Sequence, residues 1–199
     1  MFELTDLPAD IVPLSWLLGV WEGTGVIDYH AGDHDFAGEF AHRVSFSHDG
    51  GGYLNYSATA TLASDGGHSQ QLVAETGYWR LVRPAADGDA GPGLLPAILA
   101  APARTADDVE ALRAPSGGFP IEVNLAHSDG VSELYVGEVV GPRIDIGTDA
   151  VVRSASAKVY TAATRMYGLV DGHLLWAWDI AALGGELASH ASARLAKAE

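Results

Sequence analysis

The chain has 199 residues and no cysteine. That excludes disulfide bonds, zinc held by thiolates and cysteine nucleophiles together. Basic side chains are scarce. Eleven Lys and Arg stand against 26 Asp and Glu, for a net charge of −15. Such a surface repels phosphate backbones and anionic lipid, so nucleic acid and membrane are excluded as partners. No apolar run reaches the ~20 residues that a bilayer-spanning helix needs. Met1-Phe2-Glu3-Leu4-Thr5-Asp6 lacks the basic patch and apolar core of a secretory signal, so the expected location is the cytoplasm. The serines lack a nucleophile elbow or a nearby His/Asp pattern, and hydrolase chemistry has no support.

What is present suits one packed domain over residues 1–199. Apolar residues make up 48% of the chain, and a globule of this length buries roughly 70% of its unfolded surface. Short segments at 52–61, 76–82, 131–140, 155–166 and 173–179 are rich in β-branched and aromatic residues. Ile121, Val123 and Leu125 alternate, as do Ile144 and Ile146. Asp49-Gly50-Gly51-Gly52, Ser128-Asp129-Gly130, Gly141-Pro142 and Asp171-Gly172 mark turns between such segments. Many short strands joined by hairpin turns predict an all-β fold, an antiparallel barrel or sandwich.

Two stretches read as helix, a short one near residues 13–18 and a C-terminal one from about 185 to 197. In the tail, Leu187, Ala191 and Leu195 recur at i, i+4 and i+8, with His190 and Arg194 beside that stripe. Residues 84–120 are rich in Pro, Ala, Gly and Asp and read as an insertion between two strands, with a short helix near 107–112.

Gly19-Val20-Trp21-Glu22-Gly23-Thr24-Gly25 fits G-x-W-x-G-x-G at the start of the first strand. Glycines there let a strand bend and another backbone approach, and Trp21 can plug one end of a barrel. No helix or lysine follows, so a phosphate loop is excluded. His30 and His34 have metal-pair spacing, but Gly32 places them in a loop. His42, His48, His68, His127 and His173 lie next to turn signals and read as surface residues. Trp176 and Trp178 share one strand face and read as barrel packing. Read alone, His190 is a packed histidine on a helix face.

With the glycine–tryptophan motif the chain resembles the nitrobindin family of small haem-binding barrels with a fatty-acid-binding-protein-like shape. Further stretches are similar to it in order. They are Glu75-Thr76-Gly77-Tyr78-Trp79-Arg80, Glu133-Leu134-Tyr135-Val136-Gly137-Glu138, Arg165-Met166-Tyr167-Gly168, and the closing run from Leu187 through His190 to Leu195. The resemblance implies a closed antiparallel barrel of roughly ten strands, with the short C-terminal helix over its mouth. It implies a ferric haem b with His190 as the axial iron ligand, isomerisation of peroxynitrite to nitrate, reaction with nitric oxide, and a homodimer. It also marks departures. Ala31 stands where family members carry a haem-contacting threonine, and Val73 where many carry a distal histidine. Arg165, Arg80, Arg43 and Lys158 are candidates to pair with the propionates. Two other function classes stay open at this point: a barrel that binds nitric oxide or a small apolar ligand without turnover, and a haem-free relative.

Overall fold

Turn residues divide the chain into ten strands: β1 (Gly19–Ala31), β2 (His34–Ser47), β3 (Tyr53–Ala63), β4 (Ser69–Leu81), β5 (Phe119–His127), β6 (Val131–Val140), β7 (Arg143–Arg153), β8 (Tyr160–Val170), β9 (His173–Ala182) and β10 (Ala188–Lys197). They were obtained as a computed structural model, which describes residues 7–31, 34–63, 69–97 and 104–198. Each strand pairs antiparallel with its sequence neighbour. β10 returns to β1 and closes the barrel. The turn chemistry works as expected where β8 meets β9. Asp171 and Gly172 both take positive φ, at 49° and 74°, the geometry of a tight two-residue hairpin.

The predicted C-terminal helix is not formed. Residues 188–197 are β10, paired with β1 on one side and β9 on the other. The reason lies in the spacing that suggested a helix. Steps of four suit a helical stripe, but four is also even, so Ala191 and Leu195 share one face of a strand, while Leu187 precedes β10 and is exposed. The interior face is Ala191, Ala193 and Leu195, all buried. A helix this short is marginal in water even when rich in alanine, whereas two waiting strand edges pair its backbone on both sides.

At the other end of the sequence, residues Ala9–Leu17 form a 3₁₀ helix that starts earlier than predicted and contains Pro13. A proline lacks the donor an α-helix interior needs, so short 3₁₀ turns fit better. Ile11, Leu14 and Leu17 are fully buried beneath it. Trp21 joins them, and its indole N–H donates to the Leu17 carbonyl at 2.7 Å. Gly25 lets β1 and β10 meet here. A Cβ on it would lie 2.5 Å from both Phe40 Cζ and the Ser192 carbonyl oxygen. Between β4 and β5, the helix α1 (Ala106–Glu110) falls near its predicted place. The Thr105 hydroxyl and the Asp108 carboxylate cap it reciprocally. Arg104 reaches Asp10 at 3.4 Å, so this segment packs on the 3₁₀ helix and covers that end of the barrel.

One seam is short. β7 and β8 pair only from Arg143↔Gly168 to Gly147↔Thr164. Beyond it, β7 stays with β6 and β8 stays with β9. A side chain continues the ladder by one step, where the Ala163 N–H donates to Thr148 Oγ1 at 3.0 Å. Among the described residues, no helix is long and apolar enough to cross a membrane.

Candidate functional site

The end of the barrel opposite the 3₁₀ helix holds a cavity of about 320 Å³. That volume lies at the lower end of the roughly 300–1,000 Å³ typical of small-molecule sites. Its walls come from the last residues of β1 and β9 and the first residues of β4, β6, β8 and β10. Aromatic rings dominate them, including Tyr29, Phe40, Trp176 and Trp178.

His190 lines this cavity, aimed by a β-bulge instead of a helix. Ser189 pairs with Asp179 and Ala191 with Trp178, which leaves His190 as the extra residue between them. A bulge turns a side chain out of strict alternation, so His190 faces inward beside inward Ala191. Its ring stands edge-on to Tyr29, with centroids 4.9 Å apart at 88°, and to Trp178, at 5.5 Å and 82°. Its Nδ1 is buried with no hydrogen-bond partner among the described residues. Burial lowers its pKa from 6.5 to about 4, so at neutral pH the imidazole is neutral and able to bind a metal.

The predicted pocket residues divide by geometry. Val73 lies in the cavity wall. Ala31 ends β1, but its side chain lies outside the described residues. Arg80 points outward and pairs with Glu122 at 2.6 Å. Arg43 likewise pairs with Glu22 outside the barrel at 2.9 Å. Both sit on the outer phase of their strands, one residue out of step with inward Trp79 and Val44, and so leave the candidate set. Arg165 faces the cavity but is already occupied. It grips Glu75 through both terminal nitrogens at 2.8 and 2.9 Å, and its Nε–H donates to the Tyr135 hydroxyl at 3.0 Å. Its side chain is 3% exposed, and no propionate reaches it without breaking these bonds. Lys158 lines the cavity and is exposed. Trp176 and Trp178, expected as packing, line it too. His30 and His34 fall on β1 and β2, across a hairpin. His68 lies outside the described residues.

Sequence reasoning missed the floor. Glu75, Glu133 and Arg165, each from a different motif, meet with His127 in one buried cluster. His127 Nε2 bonds Glu133 Oε2 at 2.5 Å, and its Nδ1 lies 3.6 Å from Glu75 Oε1. The hydroxyls of Tyr135 and Tyr160 donate to Glu133 Oε1 at 2.7 and 2.6 Å, and that of Tyr56 donates to Glu75 Oε2 at 3.0 Å. Burial pushes the Glu75 carboxyl up, but the charge and hydrogen bonds of Arg165 outweigh it and hold it at about 2. Burial likewise raises Glu133, and the hydrogen bond from His127 with the charge of Arg165 brings it below its usual value. His42 was read as a surface residue. It is 7% exposed, and its Nδ1–H donates to the Thr59 carbonyl at 3.0 Å. Burial lowers it to about 4 against the weaker pull of Glu75. Strand phase was the available signal: His42 follows Phe40, and His127 continues Ile121-Val123-Leu125.

Residues 10–197 match the family described as "THAP4-like, heme-binding beta-barrel domain". The chain is 65% identical over 200 residues to a protein named peroxynitrite isomerase from Leifsonia xyli subsp. xyli, covering 100% of both. It is 59% identical over 196 residues to another of that name from Clavibacter michiganensis subsp. michiganensis, covering 98% of both. Among solved structures it is similar to the crystal structure of Rv2717c from M. tuberculosis, with a TM-score of 0.69 and 27% identity over 96% of this chain and 98% of that one.

Proposed function

Because the chain belongs to the THAP4-like haem-binding β-barrel family, we propose that it is a peroxynitrite isomerase. In this reading it converts peroxynitrite to nitrate at a ferric haem b whose iron is held by His190. One observation carries the ligand assignment: a neutral imidazole, its Nδ1 buried without a partner, in the wall of an aromatic cavity. An orphaned buried nitrogen normally costs free energy. A metal bond at the ring makes such an imidazole useful, and neutral histidine is a standard axial ligand for haem iron. The haem is of the b type in this reading, since thioether attachment needs cysteine and the chain has none.

When bound, ferric haem supplies a Lewis-acidic iron and a one-electron partner for rearranging the O–O bond. The chain's own residues do the rest. Val73 would give the bound haem a wall that neither donates nor coordinates. Trp176, Trp178, Phe40 and Ile180 exclude water around the reacting fragments. Lys158 at the rim is the basic side chain left to meet a propionate. The cavity residues all belong to one barrel, so we take residues 1–199 as a single domain, with 84–120 as an insertion. The expected setting is the cytoplasm and the expected assembly a homodimer.

The test is optical. Wild-type protein titrated with hemin develops a Soret band, and His190→Ala loses it. An unchanged spectrum in the variant overturns the ligand assignment. Haem-loaded protein that decays peroxynitrite no faster than free hemin overturns the isomerase reading.

A further inference from the structure

A metal-binding histidine is usually oriented by a hydrogen bond from its second ring nitrogen to a carboxylate or carbonyl. Among the described residues, His190 has no hydrogen-bond partner at either ring nitrogen, so whichever one meets a metal, the other is unheld. Its backbone is also loosely set, because it is the unpaired residue of a bulge. Two rings hold it instead. Tyr29 is anchored by its own hydroxyl, which donates to the Ala182 carbonyl at 3.0 Å. Trp178 has no such anchor, since its indole N–H is also buried without a partner. Trp178 is fixed by what lies on its face: the Arg165 guanidinium, 4.2 Å from the ring centroid. Trp176, His127 and Tyr160 flank it at 6.2–6.5 Å. Arg165 in turn cannot move, held by both oxygens of Glu75, by Tyr135 and by Glu133.

We propose that Arg165 is a positioning residue for His190: the buried Glu75–Arg165–Glu133 cluster clamps Trp178 by a cation–π contact, and Trp178 sets the imidazole plane. This rests on the reading of His190 as the haem ligand, and it gives the buried cluster a role beyond stability. A guanidinium desolvated over an indole is the strongest form of this contact. A lysine keeps the charge but not the flat fork that fits both glutamate and ring.

The experiment uses haem-free protein first. Edge-on packing against two aromatic rings shifts the His190 Hε1 and Hδ2 NMR signals away from their free values. In Trp178→Leu, which leaves the ion cluster intact, the Trp178 share of that shift disappears and the Tyr29 share changes as the ring tilts. In the combined variant Glu75→Gln, Glu133→Gln and Arg165→Met, which removes the cation without stranding a carboxylate, more than half disappears. Far-UV circular dichroism checks that the barrel persists. Arg165→Lys gives an intermediate value, and it decides the matter if the combined variant does not fold. Haem dissociation from the same variants accelerates by about 10–100-fold, as for loss of other groups that orient a metal ligand. His190 signals unchanged in folded Trp178→Leu or Arg165→Lys protein overturn the inference, whatever haem does. If His190→Ala retains haem, the ligand assignment falls while the ring-shift result stands.

Discussion

A buried imidazole whose burial outweighs the pull of nearby charge gives its proton up. His42 is such a group. Its proton affinity falls from 6.5 in the unfolded chain to about 4 in the barrel, chiefly through burial. Between those values the unfolded chain binds more protons, so stability is complete above about pH 6.5 and falls as pH drops toward 4. Over that window His42 alone accounts for roughly 3 kcal/mol, taking 1.36 kcal/mol per pH unit. His190 titrates in the same direction and window. Urea midpoints should therefore hold level down to about pH 6.5 and decline from there to pH 4.5, and His42→Phe should flatten that slope without abolishing it. A slope identical in the variant counts against the burial argument. Single residues were the hardest thing to read from the sequence. His190 was legible through its motif, and so were Glu75, Glu133 and Arg165 as conspicuous letters. That Arg165 serves two glutamates, and not a propionate, depends on β4, β6 and β8 converging, which spacing along one strand does not encode. His42 and His127 were hidden by their nearness to turns, although the alternation of their own strands places both inside.

Among the elements, β10 carries the most consequence, because it closes the barrel and presents His190. Its alternation predicts a sharp contrast between neighbours. Ala193 is buried against Gly25 and Trp176, while Ser192 faces outward. Ala193→Glu places an unpaired charge inside and should cost more than about 3 kcal/mol. Ser192→Glu should stay within about 0.5 kcal/mol of wild type, as surface changes do. Equilibrium denaturation of the two variants measures both, and equal effects would contradict the strand assignment. The strand character of this tail was not legible, since a four-residue repeat is shared by both periodicities and the even phase wins only when β1 and β9 wait on either side. Elsewhere the strands were readable. Segments at 131–140 and 173–179 coincide closely with β6 and β9, where β-branched and aromatic residues are dense and Asp-Gly turns cut cleanly.

At the scale of the whole molecule, charge sets how fast anions arrive. The chain carries −15, and both hemin and peroxynitrite are anionic at neutral pH. Like charges slow encounter, and salt screens them over a Debye length of about 10 Å at 0.1 M. Association rates for hemin should rise with ionic strength, as followed by stopped-flow Soret absorbance, and a rate that falls with salt would reveal a local basic entry path. The barrel itself is stitched unevenly. Toward the mouth β7 and β8 part company above Gly147 and Thr164, β4 and β5 above Glu75 and His127, and β1 and β10 above Ile27 and Ala191. Fewer backbone bonds resist widening at that rim than at the capped end, where the strands stay paired.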